Sequence, residues 1–532
     1  MKVALITRKR LEYASALLGM IALFCLRGMT DYSGVGYFIL VIAVYEGFWI
    51  LLGGQVTDIC GRMVRSRLTK GQIADANTAW GAIVTQQILL GIFGSLALGF
   101  TVMKIAEQAP ALSYLSVMGW LLMPAFFFRS ISAALAGYCS GKGSEGPAGI
   151  SALLRAVIFF FFAFLFLGIL QGYGVKVGAL LQNPDIAYMY GSLGLIIALD
   201  LAELLAMIFL LIVAAGASKS GFPEKNDYLR SRETAGGILM SFWSRRGVDL
   251  LNQILIYAAS AFLLGFVFSS GSVTYPSRFT GILYLGYFGI FVACGLLTGI
   301  LTKAMVAKTN AAFRKEEMRS ARNLFQIQTH WAMIIGGFFM SYLASMSETL
   351  ADLLGTGEQS MEQVLLIGSF PVLLFPLILV SMDLLIQNGN GLLTAAALFL
   401  SGVISCVFGR VFLFTGRDPY LSLVYALLIW CVCMAILLMI LTIWKLNMTY
   451  DPVRSILTPI VTGAVLGLIL LLLSRALSPH LGDQVTMIIC FVISLVLYNI
   501  ALLLMRNLSE KEVRSVPGGR FLEALGHLLR VL

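Results

Sequence analysis

The segment ISALLRAVIFFFFAFLFLGILQ, residues 150–171, carries a single charge, Arg155, and no proline. A helix needs about twenty mostly apolar residues to cross a hydrocarbon core roughly 30 Å thick, because it rises about 1.5 Å per residue. Residues 113–138 and 455–473 satisfy the same requirement. Backbone groups in lipid need internal partners, so such runs predict helices. Barrel strands would be about ten residues long and would alternate polar with apolar; these runs do not alternate.

Working outward, runs of this kind recur about fourteen times: 11–31, 34–57, 79–103, 111–138, 149–171, 187–214, 236–265, 279–302, 322–346, 362–386, 391–414, 419–444, 455–474 and 485–505. The chain is 59% hydrophobic and 12% charged, against about 25% charged in a soluble domain. No gap between spans has room for a folded soluble domain. The expected class is therefore an all-α polytopic membrane protein.

Loop charge sets the expected orientation. Basic residues gather before the first span (Lys2, Arg8, Lys9, Arg10). They gather again after the second (Arg62, Arg65, Arg67, Lys70), the sixth (Lys219, Lys225, Arg230, Arg232) and the eighth (Lys303, Lys308, Arg314, Lys315, Arg319, Arg322). The intervening loops hold only Lys104, Lys176, Arg278, Arg417 and Arg475, and residues 348–362 are acidic. Both termini are thus expected in the cytoplasm, in a cytoplasmic (cell) membrane. The net charge of +10 then reports topology and contact with anionic membrane lipids, and no nucleic-acid partner is expected. The eight cysteines lie in spans or at their ends. Cys431 and Cys433 point to different sides of a helix, and the three histidines are scattered. Neither a metal nor any other cofactor is expected.

The chain also repeats. GFWILLGGQVTDICGRMVRSRLTKGQIADANTA (47–79) aligns with GIFVACGLLTGILTKAMVAKTNAAFRKEEMRSA (289–321) at a shift of about 242 residues. Gly47 falls on Gly289, Gly53 on Gly295, Asp75 on Glu317 and Ala79 on Ala321. Two six-helix lobes in the same orientation, related by a pseudo-twofold axis along the membrane normal, plus two extra C-terminal helices, account for the count. The expected organisation is an N-lobe at 1–217, a cytoplasmic linker at 218–234, a C-lobe at 235–447, helices 13 and 14 within 448–506, and a cytoplasmic tail at 507–532. In that tail RFLEALGHLLRVL (520–532) reads as an amphipathic helix on the membrane surface.

SGVGYFILVIAVYEGFWILLGGQVTDICGRMVRSRLTKGQ (33–72) and FFFRSISAALAGYCSGKGSEGPAGISALLRAVIFFF (126–161) resemble the multidrug/oligosaccharidyl-lipid/polysaccharide exporter superfamily. The shared features are a Gly-x-Gly-Tyr opening to the second helix, a basic helix end, and Gly137-Tyr138, Gly141, Pro147 and Arg155 around the fourth-to-fifth turn. Fourteen spans are more similar to the lipid II flippase and polysaccharide-biosynthesis branch than to the twelve-span drug antiporters. The resemblance implies an alternating-access transporter, not an enzyme, that flips a polyprenyl-pyrophosphate-linked saccharide for polysaccharide or wall synthesis. Its partners would be the lipid-linked saccharide and glycosyltransferases or polymerases of the same pathway. The first helix departs from that branch: residues 17–24 are apolar, and Arg27 alone remains near the outer end.

An ionisable group inside the bilayer costs at least about 2.5 kcal/mol and so faces a cavity or a partner. Asp200 and Glu203 lie mid-span, three apart on one helix face, suited either to ion coupling or to neutralising arginines. Arg129 and Arg155 sit on adjacent helices, and a guanidinium fork suits a pyrophosphate; snorkelling to the inner interface is the alternative. Arg27, Arg245 and Arg246 complete the expected substrate-binding set, and Asp249, Glu46 and Asp383 the ion-coupling set. Arg245 and Arg246 are spaced to pair with Asp249 within the seventh helix. Pro371 and Pro376 are expected to break the tenth helix and make a hinge. The alternatives in function are a cation-coupled multidrug antiporter, for which carboxylates would dominate the cavity, and an intramembrane glycosyltransferase or polymerase with an outer-face carboxylate. No phosphate-binding loop or nucleophile elbow is found.

The loop pattern predicts that, in a cysteine-free background, Ser66→Cys is shielded from an impermeant thiol reagent on whole cells while Glu358→Cys is labelled. The reverse labelling overturns the orientation.

Overall fold

A break in the first long helix sets the frame of the molecule. The structure is a computed structural model that describes residues 2–108, 112–219, 234–271, 273–355 and 360–504. Most of the expected linker, the acidic-loop residue Glu358 and the expected tail helix lie outside the described residues. Helix α1 (Lys2–Leu52) has 51 residues, about 77 Å at 1.5 Å per residue, more than twice a bilayer core. It therefore contains the first two expected spans, and Asp31, at φ 56° and ψ 178°, turns the chain between them.

The remaining helices are α2 (Val56–Leu68), α3 (Ile73–Gln108), α4 (Leu115–Leu121), α5 (Met123–Gly141), α6 (Gly146–Leu181), α7 (Asp185–Lys219) and α8 (Ala235–Ser269). They continue with α9 (Pro276–Leu283), α10 (Gly289–Arg314), α11 (Met318–Ser345), α12 (Ser347–Leu354), α13 (Met361–Gln387), α14 (Gly391–Phe414), α15 (Pro419–Leu446), α16 (Thr458–Leu481) and α17 (Asp483–Leu504). No strand occurs among the described residues. Twelve segments there are long and apolar enough to cross a membrane, the first of them, Arg10–Leu68, covering two expected spans. Helix α11, the expected ninth span, has 28 residues but is not among those twelve. This is a multi-pass membrane protein.

Several expected spans are interrupted or extended. The second ends at Leu52, and Gly53, Gly54 and Gln55 (φ 62°) pass the chain to the basic amphipathic helix α2. The fourth is divided between α4 and α5 just before Pro124. The eighth runs from α9 through a π-helical turn, Tyr284–Phe288, into α10, which continues to Arg314. The expected break at Pro371 and Pro376 does not occur: α13 runs unbroken through both. Pro376 lacks the N–H that the Val372 carbonyl needs four residues back. Cys294 Sγ donates to that carbonyl instead at 3.8 Å.

The chain forms two compact units. One comprises Met1–Tyr257 and Val273–Leu285, the other Ala258–Ser272 and Gly286–Leu532. Within the first, α5 packs on α2, α3 and α7, and α6 packs on α7. Within the second, α13 packs on α10, α11 and α15, and α14 packs on α15. Shifted by about 242 residues, α5 falls within the bounds of α13 and α3 overlaps α11. The repeat legible in 47–79 thus extends to the order of packing. Helices α16 and α17 pack on each other and on α11.

The Gly-Tyr motif owes its residue types to packing. A Cβ on Gly137 would lie 2.7 Å from the Cβ of Cys60, and one on Gly141 would lie 2.6 Å from the Cβ of Val64. These glycines let α5 close on α2, the small-residue route by which membrane helices associate. Tyr138 stacks on Trp80 at 4.3 Å.

Candidate functional site: an intramembrane charge cluster

Each charge that α7 places inside the bilayer is answered by a different neighbour. Asp200 Oδ1 accepts the backbone N–H of Ala125 at 2.8 Å. Ala125 is the third residue of α5, just after Pro124, where a helix start leaves amides without intrahelical partners. Asp200 therefore acts as a cap supplied from a second helix, and the dipole of α5 favours its charge. One turn on, Glu203 is buried, 1% exposed, and pairs with Arg155 of α6 at 3.1 Å. The two carboxylates share a helix face, as their spacing predicts, but serve different neighbours.

The other pair joins α5 to α1. Arg129 donates through Nη1 to Glu46 Oε1 at 2.5 Å and through Nη2 to Glu46 Oε2 at 3.4 Å, a fork-to-carboxylate contact. Its guanidinium lies over the Trp49 ring at 4.3 Å and the Tyr45 ring at 5.2 Å, where ring faces attract a cation. The Glu46 side chain is 41% exposed and that of Arg129 18%. Arg129 and Glu46 both act electrostatically on Glu203, so the two pairs form one cluster built from α1, α5, α6 and α7. Glu203 Oε2 and Arg155 Nε remain buried without hydrogen-bond partners.

The other expected site residues lie elsewhere. Arg246 is 1% exposed, donates to the carbonyls of Ile50 at 2.5 Å and Leu52 at 3.2 Å, and lies over Trp243. It closes the C-terminal end of α1 rather than pairing with Asp249: those carbonyls lose their helical partners at the Gly53–Gln55 break. The Arg245 side chain lies outside the described residues. Asp249 has no ion pair among them. Arg27 stacks on Tyr32 at 4.8 Å and Phe24 at 5.8 Å, near the Asp31 bend. Asp383 belongs to α13 of the second unit. Sequence reasoning missed Tyr45 and Trp49; their i, i+4 spacing around an intramembrane glutamate is the signal that marks them. No group of His, Cys, Asp and Glu among the described residues is arranged to hold a metal.

The fold is that of known transporters. No family model and no curated protein matches this chain. Among solved structures, an inward-facing multidrug-resistance MATE transporter of the MOP superfamily superposes with a TM-score of 0.58 at 15% identity, covering 81% of this chain and 93% of that one. A MOP superfamily transporter from Pyrococcus furiosus Vc1, described as having a binding pocket of reverse polarity that suggests a different function, gives 0.55 at 14% identity, covering 84% and 95%. The eukaryotic MATE transporter AtDTX14 gives 0.56 at 13% identity, covering 83% and 94%. The chain shares the MATE-like fold of these proteins.

Removing Arg155 leaves Glu203 charged and buried. Arg155→Ala is expected to cost about 2–4 kcal/mol, less than a fully buried pair because Arg155 is partly exposed. Arg155→Ala with Glu203→Gln should recover most of that loss in thermal unfolding of the detergent-solubilised protein. A double variant no more stable than Arg155→Ala alone contradicts the pairing.

Proposed function

We propose that this protein is an alternating-access transporter that moves a polyprenyl-pyrophosphate-linked saccharide from the inner to the outer leaflet of the cytoplasmic membrane. The observation that carries the proposal is that Arg129 and Arg155, from helices α5 and α6, sit in neighbouring ion pairs, one with Glu46 and the other with Glu203. Two guanidinium groups suit the two phosphates of a pyrophosphate. The membrane potential favours outward movement of an anion. The apolar exteriors of the spans leave the polyprenyl tail in lipid while the head group passes. Alternating exposure of this cluster to the two faces of the membrane, with both termini cytoplasmic, is the motion proposed for it. Glycosyltransferases and polymerases of the same pathway are the proposed partners.

A cation-coupled multidrug antiporter is the second reading. The exposed Glu46 carboxylate and the MATE neighbours favour it. The P. furiosus neighbour, with its pocket of reverse polarity, supports the view that in this fold the sign of the pocket goes with the substrate. Under this reading the carboxylates, with Asp200, Asp249 and Asp383, take the cation, and the arginines are counter-ions.

The two readings part on the arginines. Arg129→Ala is expected to abolish complementation of a flippase-deficient strain with membrane abundance unchanged, and Arg155→Ala, made with Glu203→Gln to spare the fold, to do the same; Lys at either position is expected to restore only part of it, since an ammonium lacks the fork. Full complementation by the double Ala variant removes these residues from transport.

A further inference from the structure

The cluster that is to receive an anion carries no free positive charge. Arg129 is held by Glu46 and Arg155 by Glu203. The two pairs differ in one respect that decides what each is for. Glu203 is buried, so withdrawing its partner would strand a charge in the interior. The Glu46 side chain is 41% exposed, so releasing Arg129 would not strand its charge in the protein interior. Arg129 would meanwhile keep its seat on Trp49 and Tyr45. Of the two arginines, only Arg129 can exchange its partner without leaving a buried charge alone.

We infer that Glu46 is a built-in surrogate for the anionic head group, occupying the Arg129 fork in the empty protein and giving way only to an anion that binds the fork better than a carboxylate does. This inference rests on the proposed reading of Arg129 as a substrate contact. Its consequence is selectivity by charge density. A chloride or a phosphate monoanion brings one charge and does not outweigh a tethered, bidentate carboxylate. A pyrophosphate brings at least two charges to the fork. The affinity of the empty site for any anion is reduced by the fraction of molecules in which Glu46 has let go. The surrogate also keeps the empty cluster neutral, so that no bare guanidinium must be carried through the bilayer between substrates.

The test measures binding of inorganic pyrophosphate, phosphate and chloride to the purified full chain in detergent, by calorimetry and by ligand-induced thermal shift, for the native protein, Glu46→Gln, Glu46→Asp and Glu46→Gln with Arg129→Ala. The native protein should prefer pyrophosphate strongly. Glu46→Gln should bind all three anions at least tenfold tighter and lose most of its preference for pyrophosphate. Glu46→Asp, one methylene shorter, should shift the same way and serves if the Gln variant does not fold. Adding Arg129→Ala should erase the gain. Pyrophosphate binding that depends on Arg129 but is indifferent to Glu46 overturns the surrogate role and leaves the transport reading standing. Absence of any Arg129-dependent anion binding in both the native protein and the Glu46 variants overturns the transport reading, and the surrogate role with it.

Discussion

A charge or a bare backbone group inside a bilayer must find a partner, and the first unit is organised by that requirement. Helix α7 contributes twice: Asp200 closes the start of α5, and Glu203 neutralises Arg155 of α6. Arg129 ties α5 to α1 through Glu46. Arg246 ties α8 to the end of α1 through two carbonyls. Near the start of α1, Arg8 bridges Glu12 and Asp58, which fixes α2. The contacts between helices join elements far apart in sequence, and those inside the spans lie in a medium that offers no water to replace them. The apolar surfaces that fill the rest of the interface carry little orientation information of their own, since lipid is as apolar as leucine.

The spans were legible in the sequence because lipid imposes length and composition together. The candidate charges were legible by depth: Glu46, Arg129, Arg155, Asp200 and Glu203 stand out against apolar flanks. Their partners were not. Periodicity within α7 places Asp200 and Glu203 on one face but does not say that α5 and α6 both meet that face. The pairing of Arg129 with Glu46, 83 residues apart, depends on how α1 and α5 cross. That crossing rests in part on the break at Gly53 and Gly54 and on glycines such as Gly137. Arg246 and Asp249 illustrate the opposite error. Their spacing invites a local salt bridge, yet the open end of α1 makes a stronger claim on the guanidinium. Pro371 and Pro376 signalled a break, but a thiol from another helix meets the freed carbonyl and the helix continues.

The cluster is formally balanced, with two arginines against Glu46 and Glu203, while Asp200 is engaged by backbone. A static count of sign therefore does not choose between an anionic and a cationic substrate. Accessibility differs between the pairs: Glu46 is 41% exposed beside Arg129, and Arg155 is 27% exposed beside the buried Glu203. In a fold shared with proteins that include a pocket of reverse polarity, exchange at one ion pair is a compact way to set which charge is carried.

The most direct test is transport by the purified protein in sealed proteoliposomes, offered in parallel a fluorescent polyprenyl-pyrophosphate saccharide and a lipophilic cation. The account predicts that the pyrophosphate lipid crosses between leaflets in a protein-dependent way, accelerated by an inside-negative potential when it starts on the inner leaflet, while the cation is not moved. Cation transport driven by a proton or sodium gradient, with the pyrophosphate lipid left where it began, contradicts it.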